Sequence, residues 1–378
     1  MRPLYVMVGL PIALALTVTT AFEASVTPAR VEIEIPEPPT LAVIDSQRVL
    51  VYEVHITSFA RTPLELLRIE VLGRPAVPLA SHRDTALAAL LEPVGGTQTP
   101  RDPARLEPGR RVVAYLWVPV PRHGVPDTLV NRLVFSPADS AASPQDETVA
   151  EAAVPVRRAE AVVLSPPLPE GMWLAGDGPS NDSPHRRALA ALGGRTYIAQ
   201  RFAIDWMLVG PNGDTHQGDA TRNESYWGFG QPVFAVADGE VTQVVDSIAD
   251  HAPHVLPKAV TLANIAGNHI ILRIAPHRYV LYAHLERGSV RVHPGERVRA
   301  GQTIAKLGDS GQTTAPHLHL HVADGNSVLG AEGVPWVLRA YEDLGSGNTF
   351  ELNAHPDIPR ERTLPGANEV VRWSSGGP

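Results

Sequence analysis

Three histidines alternate with leucines late in the chain, in the run His317-Leu-His319-Leu-His321-Val. Residues two apart on a β-strand share a face, so the three imidazoles are predicted to point one way and the leucines the other. On a strand face that lines a cleft, such imidazoles can serve as metal ligands and as proton donors or acceptors. The alternative for a bare His-x-His pair is a strand face that is open to solvent.

A fourth histidine, His284, lies at the end of another apolar run, Val-Leu-Tyr-Ala-His-Leu. Its hydrophobic neighbours argue against a surface position. That leaves a role in the same chemistry, or a buried imidazole that is satisfied by hydrogen bonds. The chain contains no cysteine, so thiolate sites and disulfides are excluded and any metal must be held by His, Asp or Glu.

Short strands are predicted to position these side chains. Residues 190–345 contain several strand patterns separated by glycine-bearing turns, which predicts a β domain. Residues 25–162 contain alternating runs such as Tyr52–Thr57 and are predicted to form an antiparallel β-sandwich with one face of each strand in water. The proline- and glycine-rich segment 163–189 is predicted to be a linker, and 346–378 a loosely held tail. The expected fold class is therefore all-β, with two domains.

Composition limits the possible functions. The 378 residues, of which 44% are hydrophobic, are enough for two domains with buried cores. The 36 prolines and 31 glycines disfavour long helices. A formal net charge of −8 argues against a nucleic-acid partner, because binding to phosphate needs a basic surface.

The first 24 residues have the pattern of a secretory signal peptide. Arg2 precedes an apolar run, and small residues follow that run. The run is shorter than the roughly 20 residues that span a bilayer, and an uncleaved N-terminal membrane anchor is the alternative. Both interpretations predict an exported protein, periplasmic or extracellular.

Several ordered blocks together resemble the core of the M23 (LytM/lysostaphin-like) zinc metallopeptidases. The blocks are Tyr-Ala-His284-Leu, Gly301-Gln-Thr-Ile-Ala-Lys-Leu-Gly-Asp-Ser-Gly, Pro-His317-Leu-His319 and an upstream hairpin at residues 230–241. The resemblance covers about residues 201–322, roughly a third of the chain, and does not reach the N-terminal sandwich. It implies a LytM-like antiparallel β fold for the second domain and hydrolysis of the peptide cross-links of peptidoglycan.

The resemblance also implies roles for individual residues. In that family one zinc ion is held by the His and Asp of a His-x-x-x-Asp motif and by the second His of His-x-His. By position, Asp205 and His319 are then zinc ligands, and His284 and His317 are catalytic. Three protein ligands leave a position for water, whose pKa zinc lowers toward about 7.

One position departs from the family pattern. Four residues before Asp205 the family has histidine, but this chain has Arg201, whose charged guanidinium has no lone pair for a metal. Three alternatives remain open: His216, with Asp219 nearby, restores the site in another register; His321 supplies the third ligand; or the site has lost its metal.

Two functions follow from these alternatives. The first is an exported zinc endopeptidase that acts on peptidoglycan peptide. The second is a metal-free M23-like module that binds peptidoglycan or regulates a partner cell-wall hydrolase.

Overall fold

The computed structural model describes residues 27–95, 102–121, 124–139, 147–158, 160–349 and 351–373. The predicted signal peptide or anchor, residues 1–24, lies outside these described residues. The described part is almost entirely β-structure, with one short helix, α1 (Asp84–Ala88), and a 3₁₀ turn at Asn223–Ser225. The all-β prediction is therefore confirmed. Among the described residues, no helix has both the length and the apolar character needed to cross a membrane.

The N-terminal domain is a sandwich of two sheets. Its strands are β1 (Thr27–Pro28), β2 (Val31–Glu34), β3 (Thr40–Ile44), β4 (Gln47–Ser58), β5 (Leu64–Gly73), β6 (Val77–Arg83), β7 (Leu91–Pro93), β8 (Arg105–Leu106), β9 (Arg111–Pro119), β10 (Thr128–Pro137) and β11 (Thr148–Pro155). One sheet has the order β1-β11-β10-β5-β6 with β8 on β5, and the other has the order β2-β4-β9-β7 with β3 on β4. Apolar side chains such as Leu50, Ile69 and Phe135 fill the space between them.

The C-terminal domain is built on one large sheet. Its strands are β12 (Val162–Leu164), β13 (Gly171–Gly176), β14 (Ala190–Leu192), β15 (Arg195–Tyr197), β16 (Ile204–Val209), β17 (Pro232–Phe234), β18 (Gly239–Val245), β19 (Asn268–Ala275), β20 (Arg278–Leu285), β21 (Arg297–Val298), β22 (Thr303–Lys306), β23 (Leu318–Ala323), β24 (Trp336–Gly347), β25 (Leu352–Thr363) and β26 (Glu369–Trp373). The large sheet has the order β12-β24-β26-β13-β16-β23-β20-β19-β18-β21, and β25 pairs with β24. Strands β14 and β15 form one separate pair, and β17 and β22 form another.

The predicted linker and tail are both wrong. Strand β13 lies within the segment predicted as a linker and pairs with β26 on one side and β16 on the other. Strand β26 lies within the predicted tail and occupies the interior of the same sheet. Each strand carries a short apolar stretch that contributes a buried tryptophan, Trp173 or Trp373, and the two rings stack at 6.0 Å. The linker and tail were predicted from composition, and the prolines, glycines and polar residues around these two stretches outweigh their few apolar residues.

The two domains share a buried interface along β4. Leu50, Tyr52 and Val54 point into the sandwich core, whereas Val49 and Val51 join the apolar core of the C-terminal domain. Both faces of β4 are therefore buried, and the prediction that one face lies in water is wrong for this strand. Glu53, on the same face of β4 as Val49 and Val51, pairs with Arg186 and Arg201 of the C-terminal domain.

Candidate metal centre

Sheet register brings the predicted site residues together. Strand β16 pairs with β23 so that Asp205 lies opposite His319, and β20 pairs with β23 so that Ala283 lies opposite His319. Opposed residues on antiparallel strands have side chains only about 5 Å apart. His284 follows Ala283 at the end of β20, and His317 immediately precedes β23. The pairing therefore converts residues far apart in sequence into one cluster.

Asp205 is at the centre of that cluster. Its Oδ1 lies 2.8 Å from Nδ1 of His319, and its Oδ2 lies 3.4 Å from Nε2 of His317. A third imidazole, that of His185, places its Nε2 3.4 Å from the same Oδ2. His284 packs against the ring of His317, with ring centroids 4.8 Å apart.

His185 was not predicted as a site residue. It lies in the segment predicted as a linker, 20 positions before Asp205, and its ring meets that of His319 edge-on at 4.8 Å. The potential ligand atoms of His185, Asp205 and His319 all lie within 4.8 Å of one another. No short sequence motif joins His185 to the others, because only the folded chain brings it to the cluster.

Backbone carbonyls fix the orientation of three of the imidazoles. Nδ1 of His185 lies 3.0 Å from the Asp177 carbonyl oxygen, Nδ1 of His284 lies 2.8 Å from that of Ser310, and Nδ1 of His317 lies 2.8 Å from that of Ala315. A carbonyl oxygen only accepts, so Nδ1 carries the proton in each ring. Nε2 of His185 and Nε2 of His317 both face Asp205, and a neutral imidazole with this tautomer has its lone pair on Nε2.

His319 has the opposite orientation. Its Nδ1 faces Asp205, and its Nε2 lies 2.9 Å from Nδ1 of His321. A metal-ligating imidazole commonly donates its second N–H to a neighbouring acceptor, which fixes the ring and the tautomer. His321 therefore lies behind the His319 ring, on the side away from Asp205.

The charges in the cluster suit a cation. Burial raises the pKa of the Asp205 carboxyl, but the adjacent His317 and His185 reverse the effect and hold this pKa well below its ordinary value. Burial, reinforced by His317 and His319, holds the pKa of His284 well below its ordinary value. Burial lowers the pKa of His317, but the Asp205 carboxylate outweighs it and raises that pKa to about 9. The cluster therefore contains an ionised carboxylate that attracts positive charge.

The donor set fits zinc. Two imidazole nitrogens and one carboxylate oxygen form the three-ligand set of catalytic zinc sites, in which the fourth position stays open. His185, Asp205 and His319 supply this set within one cluster. The bonds from His185 to a carbonyl and from His319 to His321 are the supporting contacts that such ligands need.

The other predicted ligand positions lie elsewhere. Arg201 points away from Asp205 and contacts Glu53 and Glu332. His216 stacks on Tyr226, with ring centroids 5.1 Å apart, and is not part of the ligand group found in the described residues. His321 contacts the cluster only through His319. Neither His216 nor His321 belongs to the group of potential ligands around Asp205, which contains His185 instead.

We predict that a His216→Ala variant keeps the full zinc content of the wild-type chain. The side chain stacks on Tyr226, so its loss removes a contact within its own loop and no ligand. Elemental analysis of the purified, zinc-saturated variant provides the measurement. Loss of the zinc would show that the loop supplies a ligand after all.

A groove extends to both sides of the cluster. One cavity of about 470 Å³ is lined by His185, His284, Leu256 and Leu281, and a second of about 510 Å³ is lined by Met207 and other residues. Asp205 and His317 line both cavities. The arrangement leaves room for an extended chain that passes across the cluster.

Residues 226–329 match the sequence model of peptidase family M23. The match includes His284, His317 and His319, whereas Asp205 and His185 lie before it. The chain is 33% identical over 106 residues to the peptidoglycan DD-endopeptidase ShyC of Vibrio cholerae, covering 28% of this chain and 20% of that protein. It is 31% identical over 114 residues to the glycyl-glycine endopeptidase ALE-1 of Staphylococcus capitis, covering 29% and 25%. The chain thus spans a quarter or less of the length of these relatives.

Among solved structures, the catalytic domain of lysostaphin from Staphylococcus simulans is similar at 22% identity and a TM-score of 0.24, over 41% of this chain and 82% of that one. The catalytic domain of the M23 protein EnpA from Enterococcus faecalis is similar at 20% identity and a TM-score of 0.27, over 45% and 93%. The match to the family model is confined to residues 226–329.

Proposed function

We propose that this chain is a zinc metalloendopeptidase that hydrolyses peptide bonds of peptidoglycan. The observation that carries the proposal is the meeting of His185, Asp205 and His319, with His284 and His317 beside them. The M23 segment and relatives named as peptidoglycan DD-endopeptidase and glycyl-glycine endopeptidase support the substrate class. Since peptidoglycan lies outside the cytoplasmic membrane, the proposal includes export.

In this proposal His185, Asp205 and His319 hold the metal. When bound, zinc lowers the pKa of a water molecule toward about 7 and polarises the carbonyl of the peptide bond. The chain's own contribution is to fix these ligands before the metal arrives. The Asp177 carbonyl orients the ring of His185, and His321 orients the ring of His319.

Proton transfer is assigned to the two remaining imidazoles. His284 donates Nδ1–H to the Ser310 carbonyl, so its Nε2 lone pair accepts a proton and later returns it to the leaving amine. His317, beside the Asp205 carboxylate, donates from Nε2 to the oxygen that becomes negative as the carbonyl is attacked. The groove on both sides of these residues accommodates the peptide on each side of the bond that breaks.

The metal-free alternative depended on Arg201. That residue makes buried ion pairs with Glu53 and Glu332, and His185 offers a third ligand in its place. Arg201 therefore no longer argues for a site without metal. No other feature of the described residues favours the binding module over the enzyme.

The test uses the full chain. Zinc-loaded protein is expected to contain one zinc per chain and to release new amino groups from purified peptidoglycan, with fragments identified by mass spectrometry. The matched variant Asp205→Asn keeps the side-chain shape but loses the anionic ligand, and is expected to release none. Absence of zinc at saturating metal would exclude the metallopeptidase. One zinc without cleavage of peptidoglycan would exclude the substrate.

A further inference from the structure

A buried cluster of charges joins the two domains next to the metal centre. Glu53 of β4 accepts from Arg201 through Nε at 3.2 Å and Nη2 at 2.8 Å, and it also pairs with Nη1 of Arg186. Nη2 of Arg201 lies 2.8 Å from Glu332 as well. Two cations and two anions therefore balance, and Glu53 is the only member of the cluster that comes from the sandwich.

The cluster is withdrawn from solvent. The side chains of Arg186, Glu53 and Arg201 are 0%, 3% and 5% exposed. Charges buried to this degree persist only when they are paired and hydrogen-bonded, and removing one partner leaves the other uncompensated. The positions of the arginines therefore depend on Glu53.

Arg186 is the residue that follows His185. Its Nη2 donates to the carbonyl oxygens of Tyr52 at 2.9 Å and Leu116 at 3.4 Å, so the guanidinium bonds to both of the paired strands β4 and β9 of the sandwich. The adjacent Arg187 donates to the Ala89 carbonyl at 2.7 Å. The sandwich thus holds the segment 181–189, and His185 projects from it toward Asp205.

The segment 181–189 lacks regular secondary structure that could position His185. No helix or strand spans residues 181–189, which form a turn with a few local backbone bonds. The Asp177 carbonyl orients the ring of His185, whereas the anchoring of Arg186 and Arg187 sets where the turn lies. A ligand on an unanchored segment must be ordered when the metal binds, and that ordering reduces the affinity. Arg201, the residue that stands where the family pattern has a ligand, forms the other half of the anchor.

We propose that Glu53 is a positioning residue for the metal centre: by holding Arg186 and Arg201 it sets His185 in its ligand position. The N-terminal sandwich then contributes to the metal centre by positioning one of its ligands. Arg201 and Arg186, the neighbour of His185, are then held by one carboxylate. This inference rests on the proposed metal site.

The experiment compares zinc affinity in full-length, metal-free chains by competition with a chromogenic chelator. Glu53→Gln is expected to weaken zinc binding about 10- to 100-fold, the usual effect of removing a group that supports a ligand. Glu332→Gln is the matched control, since it removes a carboxylate from the same cluster without touching Arg186. Arg201 keeps its bonds to Glu53 and to the Gly333 carbonyl in this variant, which is expected to bind zinc as the wild type does. Near-UV circular dichroism of the tryptophans verifies that each variant is folded.

Tryptic cleavage after Arg186 or Arg187, measured without metal, reports the segment directly. Both sites are expected to be protected in the wild type and in Glu332→Gln, and to be cleaved faster in Glu53→Gln while other sites stay protected. A role of Glu53 in general stability would instead expose sites across the chain. This measurement does not depend on zinc. A wild type that binds no zinc would therefore contradict the proposed function, while the cleavage pattern would still test the role of Glu53.

Arg186→Leu is the second variant, because it removes the anchor while Glu53 stays paired with Arg201. The same loss of zinc affinity is expected, together with faster cleavage after Arg187, which is the one of the two tryptic sites that this variant keeps. Wild-type affinity and protection in folded Glu53→Gln and Arg186→Leu would overturn the inference. If neither variant folds, the cluster serves the fold as a whole, and the positioning role is overturned as well.

Discussion

A His185→Ala variant is expected to lose its zinc, with an affinity at least about a hundredfold below that of the wild-type chain, since zinc sites gain on the order of 10 kcal/mol from their complete ligand set. His185 supplies one of the three potential ligand atoms gathered around Asp205. The remaining two, on Asp205 and His319, lie on paired strands and stay in place. Isothermal titration of metal-free protein with zinc measures the change.

The control for this variant is His254→Ala, which removes a histidine from the same groove without removing a potential ligand. It is expected to bind zinc as tightly as the wild type. Undiminished affinity in His185→Ala, together with complete loss in His321→Ala, would show that the third ligand comes from β23. The assignment of His185 would then be wrong.

Local patterns in the sequence predicted much of the fold. Alternation and glycine-bearing turns predicted β18 at Gly239–Val245, where the structure has it, because a strand with one buried face carries its signal in a few adjacent residues. Strands β13 and β26 were not predicted, because each is a short apolar stretch among prolines, glycines and polar residues. Their partners lie far away in sequence, and pairing decided their structure.

The site residues also fall into those that the sequence predicts and those that it does not. His317 and His319 could be found from their spacing, and His284 and Asp205 from the resemblance to a known family. His185 could not be found, because its position depends on Arg186 reaching Glu53, 133 residues away in sequence and in another domain. The family pattern predicts a missing ligand at Arg201, whereas the structure pairs this residue with Glu53, a contact that no local pattern could reveal.

A second large effect is expected at His284, where asparagine should lower kcat by about 10²- to 10⁴-fold, the usual contribution of a positioned acid–base group. His284 has a backbone φ of +60°, a conformation that asparagine tolerates better than most residues. The asparagine amide can still donate to the Ser310 carbonyl, as Nδ1 of His284 does. What it cannot do is accept a proton and return it to the leaving amine. The rate of peptidoglycan hydrolysis by zinc-loaded protein measures the loss.

Zinc content separates this effect from a damaged metal centre. His284 is outside the group His185, Asp205 and His319, so the His284→Asn variant is expected to keep one zinc per chain and a KM close to that of the wild type. The matched control is His269→Asn, the same exchange at another buried histidine whose Nδ1 lies 2.9 Å from a carbonyl oxygen. It should hydrolyse substrate at the wild-type rate. Wild-type kcat in His284→Asn would remove this histidine from the proton transfer, and a lower kcat that tracks lost zinc would make its role structural.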